Sequence, residues 1–201
     1  MTKGRISMKR LFGILLVVVG ILLISFPFYQ EWKQNKELRA LEEALSLISG
    51  ADGDVDLSAI GDLSLSKDEI ESVMELEIPF IDLNQYILEE TTDENLNLAL
   101  TQIKKDQTPG VGNFTIAGHR GFRDGRHFSN LSKVPVGEMV YLHAEDETYV
   151  YELKSSEVIE ATDVDVLNDD KGKDEITLIT CTVSGENRVA VKGDLVEVIK
   201  K

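Results

Sequence analysis

Cysteine is almost absent from this chain: Cys181 is the only one in 201 residues. No disulfide can form within the chain, so any exported part must be held by its core rather than by staples. Only three histidines are present, and no spacing among His119, His127, His143 and Cys181 has the paired-ligand pattern of a zinc site. Basic residues are also scarce, with 21 Lys and Arg against 36 Asp and Glu and a net charge of −15. A surface of that sign is repelled by nucleic acid and by anionic polymers, which removes nucleic-acid binding from consideration. Otherwise the acidic balance serves mainly solubility.

The longest gap in charge is informative in the other direction. Between Leu11 and Phe28 there is no ionisable side chain, and Lys3, Arg5, Lys9 and Arg10 precede the run. A membrane-crossing helix needs about 17 to 25 apolar residues, and Tyr29 and Trp32 stand where interfacial aromatics belong. A cleaved signal peptide would have a shorter apolar core and a small-residue cleavage site, whereas Pro27, Phe28, Tyr29 and Gln30 follow here. The sequence therefore predicts residues 1–10 as a cytoplasmic basic tail and 11–29 as an uncleaved, single-pass signal anchor. Everything beyond Trp32 is then expected outside the cell.

Residues 30–73 read as a stalk. Leu38, Leu41, Leu45 and Ile48 recur at helical spacing between Lys33 and Ser49, and Gly50 and Gly53 follow. Asp52, Asp54, Asp56 and Asp62, set among small residues, mark a flexible acidic linker. A calcium loop of the helix-loop-helix kind is excluded there, because Leu57 and Leu63 stand where glycine and glutamate are required.

The folded domain is expected over 74–201. Met74, Leu76, Ile78 and Phe80 alternate with polar residues or proline, the period of a strand with one buried face. Thr91 with Glu94 suggests a capping box, and Leu96, Ala99, Leu100 and Ile103 extend a helical stripe of three to four turns. Short strand-like runs then follow at 113–117, 139–142, 148–153, 158–161, 176–180 and 188–199. Several short strands separated by turn residues predict an all-β barrel or sandwich with short helices.

A lone cysteine is usually a buried small hydrophobe. Cys181, however, ends a strand-like run, and His119 lies where another run breaks into a glycine-flanked loop, the kind of segment in which reactive groups concentrate. His127 and His143 read as structural or surface residues. A thiolate can attack a carbonyl while an imidazole protonates the leaving amine, and a guanidinium can serve the oxyanion. Arg188 follows the turn after Cys181, and a strand-loop-strand unit would return it beside the thiol. Arg120, Arg123 and Arg126 belong to the His119 loop and read as solvated charges.

Thr177-Leu178-Ile179-Thr180-Cys181 matches a TLxTC motif, Gly112 to His119 matches G-N-x-x-I-A-G-H, and Arg188 precedes the last strand. On these residues the segment 74–201 resembles the sortases, most closely those of class A, with Ile78-Pro79-Phe80-Ile81 resembling the family's first strand. The resemblance implies an eight-stranded β-barrel and a transpeptidase, with Cys181 as nucleophile, His119 as acid and base, and Arg188 orienting substrate and stabilising the oxyanion. Thr180 and Ala117 would contact substrate. The implied substrate is an LPxTG-like sorting signal cut between Thr and Gly, with an amine of a cell-wall precursor as acceptor. No Asp-Pro dipeptide of a class C lid occurs, and Ile179 departs from the serine usual in class B. Arg120-Gly121 after His119 keeps classes D and E open.

No cofactor is expected. Some class A relatives bind calcium through acidic loops, which makes Glu145, Asp146, Asp163 and Asp165 the candidates here, although an acidic run is more often a solvated loop. Two alternatives remain: a thiol hydrolase with the same residues, and a non-catalytic anchored barrel with Cys181 buried.

Overall fold

The period-two run at the start of the folded domain does form a strand, β1 (Met74–Ile78), with Leu76 and Ile78 fully buried. The computed structural model describes residues 8–50, 55–58, 60–61, 63–121 and 125–200. Lys3, Arg5, Asp52, Gly53, Asp54, Asp62 and Arg123 lie outside the described residues. Pro79 ends β1 sooner than the alternation suggests: Pro79–Ile81 is a single 3-10 turn, closed by Asp82 in the left-handed region, and Phe80 is exposed. Proline lacks the N–H a ladder needs and starts such turns readily.

The chain divides into two units, 1–64 and 65–201. The first holds α1 (Met8–Ser49), which runs unbroken through Pro27 and so joins the apolar run and the stalk helix into one element. It is the one helix among the described residues long and apolar enough to cross a membrane, with mean hydropathy 2.8 over its most apolar window. Tyr29 and Trp32 pack one turn apart with centroids 6.1 Å apart, and the Lys36 ammonium sits 4.6 Å from the Trp32 ring centre. Such a cluster suits the boundary between hydrocarbon and water.

The second unit begins with α2 (Lys67–Glu71), held by a capping box in which Ser66 and Glu69 bond each other's backbone N–H. It continues through β1, β2 (Leu83–Leu88), α3 (Asp93–Leu98), β3 (Leu100–Gln102), β4 (Asn113–Ala117), β5 (Met139–Ala144), β6 (Glu147–Glu160), β7 (Glu175–Cys181) and β8 (Asn187–Lys200). These close into a barrel in the order β1-β2-β3-β4-β7-β8-β6-β5. Closure leaves no unpaired sheet edge. The expected all-β, eight-stranded architecture is therefore present.

Three local differences have physical causes. The helix after Thr91 is short: Thr92 is the cap, accepting from the Asn95 N–H, and the segment turns extended at Ala99. Leu100 to Gln102, read as helix, are instead a fully buried strand paired with β2 and β4. Thr91 bonds that strand through its hydroxyl, to the Gln102 carbonyl at 2.7 Å, rather than capping the helix. The runs 148–153 and 158–161 are one strand, β6, which pairs with β8 across two register shifts that let so long a ribbon bend around the barrel.

The barrel interior is filled by alternate residues of every strand, among them Leu76, Ile87, Phe114, Ile116, Tyr151, Ile176, Leu178 and Val191. Each such side chain contributes about 1.5–3 kcal/mol by leaving water. Phe128, Leu131 and Val134, from the segment between β4 and β5, are buried in the same core and tie that segment to it.

Candidate active site

Two pairings build the site. Strands β4 and β7 run parallel, with Ala117 opposite Ile179. His119 and Cys181 each lie two residues beyond that pair, so the two strands deliver them to the same end of the barrel. Strands β7 and β8 run antiparallel, with Cys181 directly opposite Arg188. The next pair on, Thr182 and Asn187, is bonded from the Thr182 N–H to the Asn187 carbonyl at 2.9 Å. Cys181 and Arg188 thus occupy a non-bonded pair, in which α-carbons come to about 4.5 Å and both side chains leave the same face.

That face is the outer one. On β7, Ile176, Leu178 and Thr180 point inward, whereas Ile179 and Cys181 are partly exposed. Ala117 is partly exposed on the neighbouring strand and His119 is exposed beyond it. Ala117, Ile179 and Cys181 are therefore neighbours on that outer face. Farther from the thiol, the two strands are joined by side-chain bonds: the Thr177 hydroxyl donates to Asn113 Oδ1 at 2.7 Å, and Asn113 Nδ2 donates to the carbonyls of Val166 and Asn168. The loop between β6 and β7 is thereby fastened across the start of β4. Asp169 strengthens the attachment, accepting from the Asn113 N–H at 2.9 Å and from Lys104 Nζ at 2.7 Å. These two donors and the lysine charge hold the Asp169 carboxyl below its ordinary pKa. Gly112, at φ +62°, passes so near Asp169 that a β-carbon would lie 2.9 Å from its carboxyl carbon.

Around the thiol, Arg120, Gly121, Cys181, Thr182, Val183, Ser184 and Gly185 line a cleft of about 360 Å³. The turn from Thr182 to Glu186 is braced by its own side chains, with Thr182 Oγ1 bonded to Asn187 and the Gly185 N–H donating to the Thr182 carbonyl. Arg188 Nη1 donates to the carbonyls of Gly185 and Asn187, each at 3.1 Å. The guanidinium is thus held at the turn beside the cysteine strand.

Thr180 is buried and its hydroxyl donates to the Gly118 carbonyl at 2.8 Å, while the Gly118 N–H donates to the Ile179 carbonyl at 3.1 Å. Both bonds fix the residue before His119 against the residues before Cys181. Gly118 is required there, because a β-carbon would lie 2.5 Å from Leu100 Cδ2 and 2.7 Å from Phe128 Cδ2. Ile179 and Asn113 stand in the sequence motifs without an assigned role; the strand register and the side-chain bonds show what they and Gly118 contact.

The other histidines take different places. His143 bonds Thr148 and Glu77 on β5's flanks, away from the cysteine end. His127 is buried, and burial first, with the Arg126 and His119 charges after it, pushes its pKa down to about 4. The calcium candidates do not meet: Glu145 and Asp146 form the turn before β6, and Asp163 and Asp165 follow its far end. Among the described residues no three His, Cys, Asp or Glu are grouped to hold a metal.

The sortase domain family matches residues 76–196. Sortase A of Bacillus anthracis is 32% identical over 92% of this chain and 92% of its own length, and sortase A of Staphylococcus aureus is 28% identical over 84% of each. Among solved structures, Listeria monocytogenes sortase A aligns with a TM-score of 0.61 at 31% identity, covering 65% of this chain and 91% of that one. A Clostridium perfringens sortase D5 transpeptidase aligns at 0.63 and 27% identity, covering 81% and 99%. With its barrel, its long apolar helix and these relatives in agreement, the chain belongs to the sortase family of cysteine transpeptidases, with the sortases A among its nearest kin in sequence.

Proposed function

We propose that this sortase cleaves an LPxTG-like sorting signal between Thr and Gly and joins the threonyl carbonyl to an amine of a cell-wall precursor. The observation that carries the reading is the register: β4 and β7 bring His119 and Cys181 to one barrel end, and β8 sets Arg188 across from the thiol.

The peptide lies over the partly exposed Ala117 and Ile179, with its scissile carbonyl at Cys181. The thiolate sulfur bonds to the threonyl carbon and the carbonyl π electrons move to oxygen. Arg188 donates N–H groups to that oxyanion, an always-charged donor close to where charge develops. The C–N bond then breaks as the His119 imidazolium gives its proton to the departing glycine nitrogen, leaving a thioester and a neutral imidazole. The incoming amine attacks the thioester, His119 takes its proton, and Cys181 departs as thiolate. Thr180 serves this cycle through Gly118, by fixing the backbone that carries His119.

By the positive-inside rule Lys3, Arg5, Lys9 and Arg10 favour a cytoplasmic start of the chain, which supports an outer location for the catalytic unit, where wall precursors are. The catalytic steps draw on Cys181, His119 and Arg188, while the acidic pairs Glu145 with Asp146 and Asp163 with Asp165 stand at opposite ends of β6. Incubation of the protein with an LPxTG peptide, with and without an amine, and mass analysis of the products tests the reading. An amine adduct on the threonyl carbonyl is expected; release of the free threonyl acid alone, whatever the amine, would assign the protein to hydrolysis instead.

A further inference from the structure

His127 has an unusual combination of properties for a residue outside the reacting groups. It is 6% exposed, and its backbone is in the left-handed region at φ +47°, which costs a non-glycine residue about 1–2 kcal/mol. Strain of this kind persists only where surrounding contacts enforce it. Two sets of contacts do so. Its ring Nδ1 lies 3.0 Å from Gln85 Oε1 on β2, which ties the ring to the barrel wall. Its backbone forms an antiparallel bridge with Arg120, and the next residue, Phe128, donates its N–H to the His119 carbonyl at 3.1 Å.

The two sets act on the two sides of His119. Thr180 and Ile179 hold Gly118 from β7, and the His127 segment holds the His119 carbonyl and Arg120 from the opposite direction. Between these clamps the His119 backbone is fixed at both ends. The His127 ring is bonded to Gln85 of β2, so it ties the loop to the barrel wall.

We propose that His127 is a positioning residue for His119: a buried imidazole, bonded to Gln85 of β2, that holds the acid-base loop in reach of Cys181. The inference rests on His119 being the acid and base of the transpeptidation. The neutrality of the His127 ring matters as well, because the charges acting on it are those of Arg126 and, when protonated, His119, while Gln85 is uncharged. A cation in place of the neutral ring would oppose the imidazolium form of His119 that must protonate the leaving amine.

Steady-state kinetics of the full chain with an LPxTG peptide and an amine, together with thermal melting, test this. His127→Gly keeps the left-handed backbone and removes only the ring. It should lower kcat by about tenfold or more with KM changed by less than about threefold, as expected when a catalytic group is misplaced and substrate contacts are kept. His127→Asn, which tolerates the same backbone and retains a polar group at the Nδ1 position, should recover most of the loss, and Gln85→Ala should lower kcat in the same direction by less. Wild-type kcat in His127→Gly, or a loss confined to KM, would overturn the proposal. If His127→Gly fails to fold, the Asn and Gln85→Ala variants decide: unchanged kcat in Gln85→Ala at unchanged melting overturns it. His119→Ala separates the two levels, since activity surviving that change would remove the acid-base assignment itself, whereas a dead His119→Ala beside a fully active His127→Gly would remove only the positioning role.

Discussion

At the Lys200 end of β8 lies a cleft of about 760 Å³, lined by Glu71, Val73, Glu145, Asp146, Glu147 and Tyr149 among others. At the Asn187 end lies the cleft of about 360 Å³ around Cys181. The first is roomier and more strongly charged, yet it holds neither the cysteine nor a histidine. Its polar groups serve one another, as when the Tyr149 hydroxyl donates to Glu147 at 2.6 Å and Lys200 pairs with Glu147 at 3.7 Å. The smaller cleft holds the thiol, and Thr180, Thr182 and Arg188 beside it are each held by a side-chain hydrogen bond. What separates the two ends is how firmly reactive groups are positioned, and for covalent catalysis that outweighs volume.

The contrast is broken most severely at Arg188. Arg188→Lys keeps the charge but not the planar fork, and kcat/KM should fall on the order of 10²-fold or more, read with the peptide and amine assay. The same assay on Glu147→Gln, in the larger cleft, should differ from wild type by less than about twofold. A deficit in the latter comparable to the former would mean that the far end takes part in turnover.

A smaller effect is expected at the clamp between the strands. Thr180→Val removes the hydroxyl and leaves the Gly118 carbonyl without its side-chain partner, which should cost about 1–3 kcal/mol in denaturant unfolding and lower kcat more than it raises KM. Equal stability and equal kcat in this variant would show that the β4–β7 contact at Gly118 does not position His119.

The effect that is smallest at neutral pH, and grows only in acid, is a pH dependence of stability. A histidine whose folded pKa is depressed binds its proton less readily in the native state than in the unfolded one, so it leaves stability untouched above the ordinary value of 6.5. Below it the unfolded chain takes the proton first, and native stability declines until His127 itself protonates near pH 4. The decline attributable to this residue is roughly 3 kcal/mol across that window. The difference in unfolding free energy between wild type and His127→Asn should therefore shrink as pH falls from 7 toward 4. A difference independent of pH would place His127 in a hydrated, titrating environment.

Much of the barrel was legible because period-two alternation is local. Asn113–Ala117 is a strand over the residues whose pattern announced it, and β7 and β8 extend only one or two residues beyond theirs. Strand β2 was missed because Asn84, Gln85 and Tyr86 interrupt the apolar pattern between Leu83 and Ile87. Leu100 and Ile103 fit a helical stripe, and only the pairing of β3 with β2 and β4 shows that the former lies on a strand. The site divides in the same way. Cys181, His119 and Arg188 could be named from motif and residue chemistry, but their convergence depends on a parallel pairing between strands far apart in sequence, which no local pattern encodes. His127 gave no signal beyond being a histidine before a phenylalanine. Its left-handed backbone and its bond to Gln85 exist only once β2 is in place.

The most direct test is intact-protein mass analysis after mixing with an LPxTG peptide in the absence of amine, followed by fragment mapping. The account predicts a mass increase equal to the peptide's acyl portion through threonine, located at Cys181, absent from Cys181→Ala and discharged when an amine is added. A Cys181→Ala protein that still turns the peptide over, or an adduct carried by another residue, would contradict it.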